Sequence, residues 1–369
     1  MNLSIFKLNN KIEPIIKCNN TTSEEISNNK NINNLKNKLK DPKYAFFYMH
    51  KNKVVPEGFE IINYIDSGSE SVVYTSLISC KNKEGKKKSM SAILKLILYQ
   101  KSEKENKNEI TISFKLKNRN VIDFYSYSQI EKNKSSLLVM ENAEFGNLRN
   151  FQKNILKRNV LSETLLCFFA FQILNGIAYI HKCKIAHMDI KPQNIVIDNE
   201  LNTKLIDFSI SLNYANENLE KEILLPCRGT LLYMSKEVLN SEKIKVKDLN
   251  KVDLYSFGVI LYNLAFGCYP YKLTYKEQDD LDLILEKMEN KKLDFRNDIN
   301  YSSYFIDFLS KLLEKDINKR INIYETLNHY WIKGANLLLD EKEKSYYNNN
   351  FICYLLANHI KMFEDYIHN

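Results

Sequence analysis

An α+β chain of two lobes, the first β-rich around one main helix and the second mainly α-helical, is what this sequence predicts. Three observations carry that expectation. Between residues 59 and 140, short runs of β-branched and aromatic residues recur between polar turns. From Gly146 onward the apolar pattern lengthens to helical periodicity. The 369 residues leave room for two lobes plus extensions, at ~100–200 residues per domain. With 44% hydrophobic and 27% charged residues, a sizeable core is affordable and wholesale disorder is excluded. Only 9 Gly and 6 Pro exclude collagen-like and Pro-rich classes.

Residues 1–55 read as an Asn/Lys-rich N-terminal extension, partly disordered, ending in an aromatic run from Tyr44 and then Val54-Val55-Pro56. Strands are expected at 59–65, 72–78 and 92–98, a charged helix at 103–116, and two further strands at 124–130 and 137–140. The segment 161–181, apolar nearly all round, predicts a buried helix. Two short β pieces follow at 195–197 and 204–206, then helices at 251–266, 281–289, 304–313 and 323–327. The domain proper is placed at 56–333, with lobes at 56–142 and 143–333, and a C-terminal helical extension at 334–369 whose apolar face runs along 351–367.

The net charge of +8 reads as a solvated basic surface, because no nucleic-acid motif accompanies it. Seven cysteines without a CxxC pair suggest neither a disulfide framework nor a zinc site, so reduced thiols in a cytoplasmic or nuclear compartment are expected. The first residues lack the apolar core of a secretory signal, and Asn2 excludes myristoylation. No segment is expected to supply the ~18–20 apolar residues of a membrane span.

The strongest chemical signal is His187-Met188-Asp189-Ile190-Lys191-Pro192-Gln193-Asn194, followed by Asp207-Phe208-Ser209. Asp189 and Lys191 fall on a loop between the buried helix and a β hairpin. Asn194 opens the first strand of that hairpin, and Asp207 closes the second and returns beside it. One Asp is thus left as a base, while an Asp and an Asn offer the oxygen ligands that Mg²⁺ prefers. A Lys beside the base can neutralise a transferring phosphoryl group. The set suits phosphoryl transfer from a nucleotide.

These segments resemble the catalytic and metal-binding loops of eukaryotic protein kinases of the serine/threonine type, over about 59–333, and further matches fall in order. The resemblance implies the bilobal protein-kinase fold, with ATP and Mg²⁺ or Mn²⁺ as cofactors and a protein Ser/Thr hydroxyl as acceptor. It implies Asp189 as the base and Lys191 as the phosphoryl-stabilising cation, with Asn194 and Asp207 as metal ligands. Lys95, at the end of SAILK, would hold the nucleotide phosphates, and Glu109 would pair with it. Met140, Glu141 and Ala143 look like the gatekeeper and hinge, Asn147 stands at the ribose position, and Ile65, Gly68 and Val73 would flank the nucleotide. His187, Phe208, Thr230, Glu237, Asp253 and Arg320 match structural positions: His187 against Phe208, Thr230 bridging base and Lys191, Asp253 anchoring the catalytic loop, and Arg320 paired with Glu237.

The departures concern regulation more than chemistry. The glycine-rich loop reads Asp66-Ser67-Gly68-Ser69-Glu70-Ser71-Val72-Val73, keeping only its middle glycine, and Asp66 adds negative charge that would weaken ATP affinity. Ile93 replaces the usual small Ala, which implies either a tight adenine pocket or a shifted strand register. Met188 replaces an Arg that normally pairs with a phosphorylated activation loop, so that switch should be unnecessary. Ser209 replaces Gly and restricts backbone flipping, and Ser235-Lys236 stand for Ala-Pro. The rival expectation is a pseudokinase, a nucleotide-binding or scaffolding module; a small-molecule kinase would not need Glu237, Asp253 and Arg320. Asn147 and Gln193, in place of acidic residues, argue against a strong preference for Arg before the phosphosite. A monomer acting on protein, with no nucleic-acid or membrane partner, completes the expectation.

Overall fold

The computed structural model describes residues 35–45, 59–67, 71–81, 87–98, 103–130, 135–155, 160–295 and 301–337. The chain divides into two compact units, one made of the chain up to Lys115 with Ile122–Asn142, the other of Leu116–Val121 and the chain from Ala143. This is the α+β architecture expected: a five-stranded sheet in one unit and a helical assembly in the other.

In the first unit, β1 (Phe59–Ser67), β2 (Ser71–Lys81), β3 (Lys87–Leu98), β4 (Phe124–Ile130) and β5 (Ser135–Glu141) form an antiparallel sheet in the order β1-β2-β3-β5-β4. Helix α1 (Glu103–Lys115) connects β3 to β4. Strand alternation builds the core: Val72, Tyr74 and Ile78 of β2 face inward with Ala92, Leu94, Leu96 and Leu98 of β3. Part of the stretch expected as an extension belongs to this core. Leu39 and Ala45 are fully buried in it, and the Tyr74 hydroxyl donates to Leu39 O at 2.8 Å. A short amphipathic stretch in an Asn/Lys-rich context reads as extension until the sheet that buries it is known.

In the second unit, α2 (Glu163–Lys182) and α3 (Leu249–Phe266) form the centre. The segment Leu165–Lys182 is, contrary to expectation, long and apolar enough to cross a bilayer. It serves here as a core helix, with Leu166, Phe169, Ala170, Ile173, Leu174, Ile177 and Ile180 buried. Gly176 lets α2 approach the 116–121 segment, since a Cβ there would sit 2.8 Å from Asn120 O. After α2 come β6 (Ile185–Ala186), β7 (Ile195–Ile197), β8 (Thr203–Leu205), β9 (Leu212–Asn213), β10 (Glu222–Leu224) and β11 (Lys243–Lys245), paired as β6–β9, β7–β8 and β10–β11. Helices α4 (Leu281–Asn290), α5 (Ser303–Leu312), α6 (Ile323–Leu327) and α7 (Tyr330–Leu337) complete the unit, α7 running past the boundary expected at 333. The expected helix at 351–367 lies outside the described residues.

Candidate active site

The catalytic-loop candidates follow α2 because the chain must turn there. Cys183 caps the helix with its N–H on Tyr179 O and His181 O, and Lys184 takes a left-handed φ of 61°. Strand β6 then delivers His187 and Met188 onto the buried carboxylate of Asp253 in α3. Asp253 Oδ2 accepts from His187 N at 2.8 Å and Oδ1 from Met188 N at 2.8 Å. His181 Nε2 lies 2.7 Å from Oδ2. Burial alone would push the Asp253 carboxyl up, but the His181 hydrogen bond and the charges of His181 and His187 hold it below the usual carboxylate range. These bonds also hold Met188 at φ 69°, a conformation that a side-chain-bearing residue adopts only when its surroundings over-determine it.

His187 is fully buried, its ring 5.0 Å from that of Phe208. Its Nε2 donates to Ile206 O at 2.9 Å, which leaves Nδ1 to accept from Asp189 N at 3.3 Å. The imidazole thereby links the loop carrying Asp189 to the segment carrying Asp207.

Asp189 itself is ringed by donors. Oδ1 accepts from Thr230 N and Thr230 Oγ1, both at 3.1 Å. Oδ2 accepts from Asn194 Nδ2 at 2.9 Å and lies 2.7 Å from Lys191 Nζ. Lys191 Nζ also donates to Thr230 Oγ1 at 2.8 Å, so carboxylate, cation and hydroxyl form a closed triangle. The preceding Gly229 has φ +117°, and a Cβ there would stand 3.1 Å from Asp189 Oδ1 and 3.2 Å from Met188 O. Gly229→Ala would strain the backbone and press on the Asp189 carboxylate at once. Displacing a reacting group by ~1 Å can cost about a hundredfold, and a steady-state kcat loss of that order, with little change in KM for nucleotide, is the expected result.

Asn194 donates its amide nitrogen to Asp189 O and Asp189 Oδ2, which turns its amide oxygen outward. Ile206 N donates to Asn194 O at 3.0 Å, and Asp207 follows at φ 65°. Contrary to the hairpin reading, neither residue is on a strand: Asn194 ends the turn Pro192–Asn194 just before β7, and Asp207 lies two residues past β8, so the pair flanks the hairpin. A carboxylate and an amide oxygen there fit a hard divalent cation that keeps several waters.

Around this centre, Arg320 and Glu237 form a buried bidentate pair, with NH1–Oε1 at 2.6 Å and NH2–Oε2 at 3.1 Å. Ser235 Oγ adds a 2.6 Å bond to Glu237 Oε1, so the Ser that replaces Ala here is absorbed into the pair.

In the first unit Lys95 Nζ bonds Glu109 Oε1 at 2.9 Å, joining β3 to α1. Strand β3 is in unbroken register with β2 and β5, pairing Val73 with Lys95, Ile93 with Met140, and Ala92 with Glu141. A shifted register is thus excluded, and Ile93 shares the face of Lys95. Ile65 sits at a register irregularity of β1 and is 48% exposed. Asp66 turns its carboxylate onto Ser67 N at 2.7 Å. Gly68 lies outside the described residues. Ala143 is buried in the second unit, and Asn147 caps the turn Leu148–Asn150 by accepting from Asn150 N.

Two contributors escaped sequence reasoning. His181, the end of an apolar run, gives no local hint that it meets Asp253 72 positions later. Glu220 looks like one more surface acid, yet it accepts from Lys245 at 3.0 Å and Lys247 at 2.8 Å, beside the β10–β11 pair. Those two lysines hold its carboxyl below the usual range, Lys247 foremost.

Comparison with known proteins identifies the family. Residues 59–332 match the protein kinase domain family. Myosin light chain kinase 2 (skeletal/cardiac muscle) of Rattus norvegicus is 31% identical over 270 residues, covering 69% of this chain and 42% of that protein. A probable myosin light chain kinase of Dictyostelium discoideum is 29% identical over 297 residues, 80% of this chain and 57% of its own. Aurora kinase of Eremothecium gossypii is 28% identical over 237 residues, 64% and 59% of the two chains. The chain therefore spans about half the length of these relatives. With the family matched over most of its length, from the first strand of the sheet to α7, the chain belongs to the protein kinase domain family.

Proposed function

We propose that this chain transfers the γ-phosphoryl group of ATP to Ser or Thr hydroxyls of proteins, and that it does so without phosphorylation of its activation segment. The observation that carries the first part is the closed triangle of Asp189, Lys191 and Thr230, with Asn194 completing the shell of the base. A carboxylate has about four lone-pair sites, and four donor contacts already surround Asp189. A substrate hydroxyl must therefore take the place of one of them. Lys191 is the donor suited to leave, because an incoming phosphoryl group is a better partner for its ammonium. Its departure would open Oδ2 to receive the hydroxyl proton while the cation follows the transferring charge. Asn194 and Asp207 would hold the divalent cation, which when bound neutralises phosphate charge. Lys95, fixed by Glu109, would hold the α- and β-phosphates, and Ile93 on the same strand face would narrow the adenine site. Lys191 and Thr230 favour a Ser/Thr acceptor.

Independence from loop phosphorylation is supported by what orders the segment between Asp207 and Glu237. Strand β9 pairs with β6, and β10 with β11. Val246 N donates to Lys221 O and Lys247 N to Leu219 O, with the Glu220 carboxylate between two lysines. Met188, where a phosphate-binding Arg would stand, is buried. Backbone pairing and one acid thus do here what a phosphate and an Arg cluster would otherwise do. The test is phosphate transfer from labelled ATP to a generic protein substrate, before and after exhaustive phosphatase treatment. Unchanged rates are expected; silencing by the phosphatase would overturn the second part. Nucleotide binding without transfer to any protein would overturn the first and leave a pseudokinase.

A further inference from the structure

Next to the catalytic loop stands an arginine with no acid assigned to it. The turn Leu148–Asn150 is fixed to the loop, since Asn147 caps it and bridges Val196, two residues after Asn194. The guanidinium of Arg149 lies 4.6 Å above the ring centroid of Tyr275. On the other side, Thr230, which touches the base, leads into the turn Leu231–Tyr233. The Tyr233 hydroxyl lies 3.3 Å from that of Tyr269, their rings packed edge to face at 5.8 Å. Arg149 and Tyr275 are both within electrostatic reach of that hydroxyl, and burial and Tyr269 hold it protonated. One Arg and three tyrosines thus form a patch tethered to the catalytic loop at both ends.

Among the described residues no carboxylate forms an ion pair with Arg149. The acid nearest in sequence to Tyr275 is Glu277, and it is committed to Lys287 at 2.6 Å and to Thr274 N at 2.8 Å. The patch is open, with Tyr275 48% exposed. A guanidinium over an aromatic ring keeps N–H donors available in the fork that carboxylates and phosphates match.

We propose that Arg149, with Tyr269 and Tyr275, is a subsite for an anionic group on the substrate segment, a Glu or Asp carboxylate or the phosphate of a phosphoserine, close in sequence to the acceptor hydroxyl. The proposal rests on the protein-kinase reading above and supplies its substrate class. It also gives a physical reason for the absence of Arg preference that Asn147 and Gln193 suggest: a cationic side chain would meet a cation here.

The experiment uses the full chain and fluorescein-labelled serine peptides that differ at one flanking position at a time, carrying Glu, phosphoserine, Gln or Lys. Affinity is read by anisotropy and transfer by labelled ATP. Glu peptides are expected to bind about three- to tenfold more tightly than Lys peptides at low salt, the size of one charge-assisted contact. The gap should shrink as salt rises. Arg149→Glu should reverse the order in favour of Lys, a gain that misfolding could not produce. A further preference for phosphoserine over Glu would identify phosphate as the natural anion, and parity would identify carboxylate. Equal affinities across the set, or an unchanged order in Arg149→Glu, would overturn the subsite. The expected order without transfer to any peptide would leave the subsite standing and remove the kinase reading, whereas transfer to all peptides without an order would do the opposite.

Discussion

Asp189→Asn is expected to lower phosphate transfer by roughly a thousandfold while leaving the fold in place, the middle of the range for loss of a positioned general base. The substitution keeps size and shape but removes both the proton acceptor and half of the acceptor capacity. If the new amide oxygen faces Thr230, its NH2 group meets Asn194 Nδ2 and Lys191 Nζ, which are donors themselves. If it turns round, the NH2 group meets Thr230 N and Oγ1. Either way one edge of the residue sets donor against donor, which costs on the order of 1–3 kcal/mol. Transfer to a protein substrate and a thermal melt of the same preparation separate the two effects. A near-complete loss of rate with a melting point lower by only a few degrees is expected. An unimpaired rate would show that the base lies elsewhere.

The largest loss of stability is expected on breaking the Arg320–Glu237 pair. The Arg320 side chain is 0% exposed, and every donor it has is used. Two go to Glu237, and the rest reach the carbonyls of Glu314, Lys251 and Lys315. The guanidinium also packs 4.9 Å from the centroid of Tyr255. Arg320→Met would leave Glu237 charged in the interior with only Ser235 as a partner, together with three unpaired carbonyls. Removing one member of a buried pair typically costs about 3–5 kcal/mol. The double variant Arg320→Met with Glu237→Leu should lose less than the two single losses added together, because it no longer buries an unpaired charge. The single tryptophan, Trp331, belongs to the second unit. Its fluorescence under urea therefore follows the unit that holds the pair. Losses that simply add would show that the pair is not coupled.

Much of this architecture was legible one segment at a time. Strand β4 and helix α6 fall on the residues that their local pattern predicts, because alternation and helical periodicity are recorded within a few neighbours. Asn194 and Asp207 could be placed together because they flank a short hairpin, β7–β8. Local pattern failed where the deciding partner was distant. Residues 35–45 carry few apolar side chains, and only the sheet shows that Leu39 and Ala45 complete its core. The composition of Leu165–Lys182 fits a bilayer as well as a protein interior, and only the surrounding helices and strands decide between them.

The sequence by itself determined the kinds of element, their order and the chemical groups on the catalytic loop, since periodicity and motif spacing are local properties of the chain. Only the tertiary structure decided which groups meet. Asp253 receives His181, His187 and Met188 from more than 60 residues away, Gly229 backs onto Asp189, and Glu220 is closed between Lys245 and Lys247. Such contacts depend on how elements pack, and a hydrogen bond or a steric approach between distant residues leaves no period in the chain that makes it.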